Sequence, residues 1–411
     1  MPRKKTTTAT PKTAKTSKTS KKRPLRLQQA ITAANTVLGS KEWMVPLEPG
    51  ADAIPFISTG SMAVDYLIGG ASRNPCRGVP RGRITQVYGH ESCGKTTLAL
   101  SVAAQACREG GQVCYIDWEN AIAPGYAADI GVPIYDPDQF ILAQPNTLEE
   151  GLKLMWIMGS AGVDLIVLDS VSAGVPEEIW KQKMDNQGHL GRLGLHAAKW
   201  SAFLPKIRRQ ISKSGTAIVA ISQLREKINT TGYGDSTSTS GGRAWKFYPD
   251  IRLKLARVKQ ESSKKYNAMT HKMEDQKSSG VVRAKIEKSK ISDAQGKEQD
   301  FYIRYGYGID DVRSLIDLAS RHGIVKKSGA WYIWETPDGE EIRGQGIEKF
   351  RFRLEDSGNF DVLKTLVLPI LAGSSEDGSK EAEDEEEIMD DIKILMDGFE
   401  DPEEEPSEID S

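Results

Sequence analysis

Residues Gly89 to Thr96 read GHESCGKT, preceded by the apolar run ITQVY (Ile84 to Tyr88) and followed by TLALSVAAQACR (Thr97 to Arg108). The eight residues match GxxxxGK[ST] in full, and the match sits where its mechanism needs it, between a buried strand and the start of a helix. Loop amides and the helix N-terminus can wrap phosphate oxygens. Lys95 can reach the β and γ phosphates, and the Thr96 hydroxyl can hold Mg²⁺. The stretch therefore predicts a nucleoside-triphosphate site made of Gly89, His90, Glu91, Ser92, Cys93, Gly94, Lys95, Thr96 and Thr97.

Outward from this loop the chain alternates short apolar runs with helical stretches. Ile84 to Tyr88, Gln112 to Asp117, Asp164 to Asp169 and Thr216 to Ser222 are expected as strands. Thr96 to Arg108 and Leu195 to Ser212 are expected as helices. That order predicts an α/β fold with a mainly parallel sheet covered on both faces. Asp250 to Val258 and Val281 to Ile286 alternate apolar with charged residues, as half-buried strands do. From Phe301 to Ala372 a helix (Val312 to His322) and a Trp/Tyr-rich hairpin (Ala330 to Glu341, turning at Pro337-Asp338-Gly339) predict a small α+β domain.

The ends differ from this body. Residues 1 to 24 hold nine Lys or Arg and no acid, whereas residues 374 to 411 hold eighteen Asp or Glu against two Lys. Neither segment has the apolar content to form a core, and both are expected to be disordered. A mildly basic body between opposed tails suits a protein that meets a polyanion, although solubilising tails would look the same. Between residues 25 and 60, Leu27, Ala30, Ile31, Ala34 and Leu38 recur at helical spacing, which predicts a lone helix over Leu25 to Ser40 in need of a docking partner. No apolar run approaches the roughly 20 residues that span a bilayer. No apolar segment follows the basic start, so a cytoplasmic location is expected. Cys76, Cys93, Cys107 and Cys114 form neither a CxxC pair nor zinc-finger spacing and are expected as reduced thiols.

Two carboxylates complete the nucleotide chemistry. Asp169 ends the run DLIVLD, which puts it at the carboxyl edge of a strand beside the phosphate loop, the place for a residue holding the water shell of a metal. Glu119, in YIDWEN after the second strand (Gln112 to Asp117), is a candidate for orienting a water in line with the γ-phosphate; its position alone would also suit a surface charge.

Beyond the loop, ISTGSMAVD (Ile57 to Asp65), YIDWENAIAPGYA, LIVLDSVSA, ISQLREKI (Ile221 to Ile228), GGRAWKFY (Gly241 to Tyr248), IEKSKI (Ile286 to Ile291) and GAWYIW (Gly329 to Trp334) occur in that order. In this series the chain resembles the RecA-type homologous-recombination ATPases, in their bacterial or bacteriophage form, over about residues 25 to 372. The resemblance implies a P-loop ATPase core at 61–300 carrying the DNA-binding loops. It implies an N-terminal polymerisation segment at 25–60 and a C-terminal α+β domain at 301–372.

It also implies roles. Glu119 would activate the attacking water, Gln223 would sense the γ-phosphate, and Tyr126 and Tyr305 would flank the adenine of ATP. Lys288 and Lys290 would reach across a filament interface to the neighbouring site, and Phe247 would couple neighbours. Two loops would bind DNA. One lies at about Glu177 to Gly194, with His189, Leu190, Gly191 and Arg192. The other is NTTGYGDSTSTSGGRAWKFY (Asn229 to Tyr248) with its approach, carrying Arg225, Lys227, Ile228, Ser240, Gly241, Gly242 and Arg243. Glycine and hydroxyl residues suit phosphate oxygens, and Leu190 and Ile228 would wedge between bases. The implied partners are single-stranded DNA, a homologous duplex and further copies in a helical filament, with single-strand-binding and loader proteins as further candidates. Five departures stand out: Ala123 where the family often has Asp, Arg243 in place of Asn, a second loop about one residue longer, Pro205 at a basic helix position, and an insert, ASRNPCRG (Ala71 to Gly78). With the opposed tails, such departures lean towards a phage origin. Two other readings share the phosphate loop: a hexameric RecA-fold helicase and a non-catalytic DNA-binding mediator.

Overall fold

Strands rich in Val, Ile and Leu bury both their faces, and here they assemble side by side. In the computed structural model, which describes residues 25–38, 53–70, 76–181, 192–226, 237–239, 242–267 and 272–371, six parallel strands form the centre of one large sheet. Their order across the sheet is Ile251–Asn267, Ile84–Gly89, Ala217–Glu226, Leu165–Asp169, Val113–Asp117 and Phe140–Ala143. Beyond the first of these the sheet continues antiparallel through Lys272–Ser289, Glu298–Arg304 and Gly308–Ile309.

Alternate residues of each strand feed two cores. Val87, Tyr115, Val167 and Val219 pack with the helices Met62–Gly69 and Lys95–Arg108 on one face. Ile84, Ile116, Ile166 and Ile218 pack with Leu148–Ala161 and Arg192–Ser214 on the other. This is the doubly covered sheet expected of such apolar strands.

The first helix spans Leu25–Leu38 and stops before Gly39. It lies in a compact unit of its own, residues 1–52, apart from residues 53–411. The basic and acidic tails lie outside the described residues, apart from where residues 25 and 371 border them.

Three differences from the sequence expectation matter. The expected boundary at residue 300 falls within the sheet, because Glu298–Arg304 pairs with Lys272–Ser289 over seven residue pairs. The C-terminal region therefore starts at the helix Asp311–Arg321. It continues through a three-stranded sheet (Lys326–Ser328, Trp331–Glu335, Glu341–Gln345) and the helices Ile347–Asp356 and Phe360–Leu371. Second, the strand expected to end at Ser222 runs to Glu226, where it pairs antiparallel with Thr237–Thr239. Third, the two half-buried strands are far longer than their apolar alternation. Ile251–Asn267 and Lys272–Ser289 form a hairpin whose outer part has no regular apolar face and is specified by ladder pairing. At the edge of the insert, Cys76 is buried and Arg77 stacks 3.5 Å over the Tyr66 ring. Residues 71–75 lie outside the described residues.

Candidate functional site

The carboxyl ends of the parallel strands gather the nucleotide residues. Gly94 precedes the helix Lys95–Arg108 in a left-handed conformation (φ 91°). That conformation is strained for any L side chain and so favours glycine, and a Cβ there would also have to displace the tip of the Ile303 side chain, 2.3 Å away. Ser92 is also left-handed (φ 55°), which bends the loop back over the helix start. Lys95 is buried and donates to the carbonyls of Gly89 (3.2 Å) and His90 (2.7 Å), so its ammonium is already held within the loop.

Thr96 Oγ1 donates to Asp169 Oδ2 at 3.0 Å, and Tyr115 donates its hydroxyl to the same oxygen at 2.8 Å. Burial pushes the Asp169 carboxyl up to about 6, against these two bonds, which favour its charge. Asp117, fully buried, accepts from the amides of Glu119 (3.0 Å), Ala121 (3.0 Å) and Ile122 (3.3 Å) and so shapes the turn carrying Glu119. The Ser170 hydroxyl donates a short hydrogen bond to Glu119 Oε1, and Gln223 Nε2 donates to the same oxygen at 3.4 Å. Asp169, Glu119 and Gln223, expected from separate segments, thus meet through neighbouring strands. Tyr115 and Ser170 were not anticipated. Their only sequence signals are a polar tip in the middle of the strand Val113–Asp117 and a hydroxyl directly after Leu165–Asp169.

Beside the loop lies a cavity of about 720 Å³, lined by Ser92 to Thr97 and, from the opposite side, by Arg257, Gln260, Lys277 and Tyr305. Tyr126 shares a 2.8 Å hydrogen bond with Thr97 Oγ1. Tyr305 accepts from Gln260 Nε2 at 3.3 Å.

Lys288 and Lys290 are not part of this group. Lys288 pairs with Arg252, which pairs with Gln86, so both lysines lie towards the amino ends of the parallel strands. Both ammoniums donate to the Phe247 carbonyl, at 2.7 and 3.3 Å. Burial, and the charge of Lys290 beside it, pull the Lys288 ammonium down to about 8. The Phe247 side chain is 68% exposed, a large apolar surface left in solvent.

Of the expected DNA-contacting residues, Arg192 opens the helix Arg192–Ser214 and Arg225 stands opposite Ser238 in the ladder. Gly242 (φ 89°) and exposed Arg243 lead into the short helix Ala244–Phe247. His189, Leu190, Gly191, Lys227, Ile228, Ser240 and Gly241 lie outside the described residues. A Cβ on Gly242 would approach that of Ala197 to 2.7 Å, so this end of the second loop rests on the helix that follows the first. Behind both, Trp200 packs edge-on against Trp245 (4.9 Å between centroids) and Trp118 (6.3 Å).

Comparison with known proteins bears directly on this arrangement. Residues 26–310 match the RecA N-terminal domain and residues 313–367 the RecA C-terminal domain. The chain belongs to the RecA family. It is similar to Protein RecA of Bifidobacterium breve, 37% identical over 339 residues, covering 82% of this chain and 79% of that one. Against Protein RecA of Arthrobacter sp. (strain FB24) it is 38% identical over 350 residues, 84% and 90% of the two chains. Against that of Streptomyces venezuelae it is 39% identical over 309 residues, 74% of each. Membership in the RecA family makes the chain a DNA-dependent ATPase of recombination and repair, and nothing in these similarities favours a helicase or a mediator. These RecA relatives are all bacterial, so a phage origin finds no support among them.

Proposed function

We propose that the chain polymerises as a helical filament on single-stranded DNA, and that ATP sets the filament's grip while it pairs that strand with a homologous duplex and exchanges strands. The observation that carries this reading is the position of Gln223. Its amide touches Glu119, and the next three residues form the ladder with Thr237–Thr239 at the root of the second DNA loop. A displacement of Gln223 towards a γ-phosphate would therefore be transmitted to the DNA-facing segment.

The residues at the strand ends fit a nucleotide and its metal. The loop and helix N-terminus offer amides to phosphate oxygens. Thr96 and Asp169 already share a hydrogen bond at the position where a hydrated Mg²⁺ would rest. Among the described residues no group of three or more His, Cys, Asp or Glu could hold an ion, so this metal would be bound largely through the phosphates. When bound, Mg²⁺ supplies positive charge to the β and γ oxygens. Glu119, fixed by Ser170 and the Asp117 turn, orients the attacking water. Tyr126 and Tyr305 contact the adenine.

Lys288 and Lys290 act on the site of the next protomer, where they neutralise charge on the transferred phosphoryl group. Their place at the far end of the strands favours action in trans. Leu25–Leu38 and Phe247 belong to the same interface. His189, Leu190, Gly191, Arg192, Arg225, Lys227, Ile228, Ser240, Gly241, Gly242 and Arg243 contact the strand. Single-strand-binding and loader proteins are proposed as partners, and a cytoplasm as the location. No helix among the described residues is long and apolar enough to cross a membrane.

Electron microscopy of the full chain with ATP and single-stranded DNA tests the reading. Helical filaments that strip a homologous duplex of one strand are expected; closed rings that translocate without pairing would overturn it.

A further inference from the structure

The cavity beside the phosphate loop has a second wall that no sequence motif announced. The strand Ile251–Asn267 pairs with the phosphate-loop strand only as far as Leu255 opposite Gly89. Residues beyond Leu255 overhang the loop. There Val282 pairs with Arg257, Gly280 with Gln260 and Lys277 with Ser262. Arg257, Gln260 and Lys277 all line the cavity. The Arg257 guanidinium donates a short hydrogen bond to the carbonyl of Ser92, the left-handed residue of the loop. Three lining side chains are cationic, Lys95, Arg257 and Lys277, and none is acidic. A cavity with three positive charges and no counter-charge on its walls suits a polyanion.

The sheet order tells where along the nucleotide this charge falls. Gln223 and Asp169 stand on strands to one side of Ile84–Gly89, with Glu119 just past the end of Val113–Asp117 on that side, whereas Arg257 and Lys277 stand to the other, in the same cavity as Tyr305. We propose that Arg257 and Lys277 form a cationic wall within the same protomer that binds the α and β phosphates of the nucleotide, with Arg257 also fixing the phosphate loop through Ser92. The proposal rests on reading this cavity as the nucleotide site.

A wall on that flank is remote from the attack on the γ-phosphate. It contributes to ground state and transition state alike, and so appears in nucleotide affinity rather than in the chemical step. ATP and ADP share the α and β phosphates and should be affected equally. Lys288 and Lys290, acting from a neighbouring copy, should show the opposite pattern.

Calorimetric titration of the full chain with ATP and with ADP, in the absence of DNA, provides the test. Arg257→Ala and Lys277→Ala should each weaken both nucleotides in parallel, by about tenfold, as expected for loss of one charge-assisted contact. Arg257→Lys should recover part of the loss. In DNA-stimulated hydrolysis KM should rise by more than kcat falls. Unchanged affinity for both nucleotides, a loss confined to ATP, or a fall in kcat at constant KM would each overturn the proposal. Lys277 is solvent-exposed, so its variant carries the test if Arg257→Ala fails to fold. Lys95→Ala separates this inference from its premise. If Lys95→Ala abolishes binding while the wall variants do not, the wall is wrong and the site stands. If Lys95→Ala also binds normally, the site itself is misassigned.

Discussion

The two ends of the parallel strands carry the same kind of charge in different states. At the carboxyl ends, Lys95 is buried and bonded to its own loop, Asp169 is bonded to Thr96 and Tyr115, and Glu119 is bonded to Ser170 and Gln223, all within one chain. At the amino ends, Lys288 and Lys290 rest on the carbonyl of Phe247, whose side chain faces solvent. The contrast separates one set of cations that faces the phosphate loop of its own chain from another that does not, and on the function proposed above the second set serves the next copy. Hydrolysis then becomes a property of the assembly.

The strongest way to break this contrast is at the amino end. Replacing Lys288 and Lys290 by Ala should lower kcat of DNA-stimulated hydrolysis by about 10³-fold, the lower range for cations supplied in trans. ATP affinity of the isolated chain should be nearly unchanged, and a comparable loss of affinity would place the lysines in their own protomer's site. At the carboxyl end, Glu119→Gln should cut single-turnover hydrolysis by roughly 10²–10⁴-fold, the span for a positioned acid–base group, while binding persists. Turnover at the wild-type rate would remove Glu119 from the chemistry.

Smaller effects sharpen the comparison. Trp200→Ala empties the centre of the Trp118–Trp200–Trp245 cluster and should cost about 3–5 kcal/mol of stability, measured by denaturant unfolding. A cost below about 1 kcal/mol would mean that Trp245 and Trp118 repack around the gap. The smallest expected effect is a pH slope. Burial pushes the Asp65 carboxyl up to about 7 and that of Asp311 up to about 6, both above their ordinary value near 3.8. Between about pH 4 and 7 these two carboxyls bind more protons in the folded chain than in the unfolded one, so their contribution to stability falls as pH rises through that window. Asp65→Asn should flatten this fall; an unaltered slope would assign it elsewhere.

Much of the carboxyl end was legible in the sequence because it is built from contiguous patterns. An apolar strand, a glycine-bearing loop and a helix follow one another at Ile84 to Arg108, and Asp169 closes an unbroken apolar run. Arg257 and Lys277 gave no such signal. Arg257 meets Ser92 across 165 positions, through the parallel pairing that ends at Leu255. The hairpin beyond Val258 was unreadable for a related reason: its sequence has no regular apolar alternation, and pairing along the ladder specifies it. The misplaced boundary at residue 300 arose because Phe301 to Ile303 reads as apolar strand in either domain, and pairing with Val281 and Val282 decides the matter.

The central claim, that each site is completed by the next copy, is tested most directly by mixing two inactive chains. Glu119→Gln retains both lysines, and the Lys288→Ala/Lys290→Ala chain retains the glutamate. On single-stranded DNA with ATP, co-filaments of the two should hydrolyse well above either alone, because some junctions pair an intact Glu119 with a neighbour's intact lysines. Mixed filaments no more active than the sum of their parts would contradict the account.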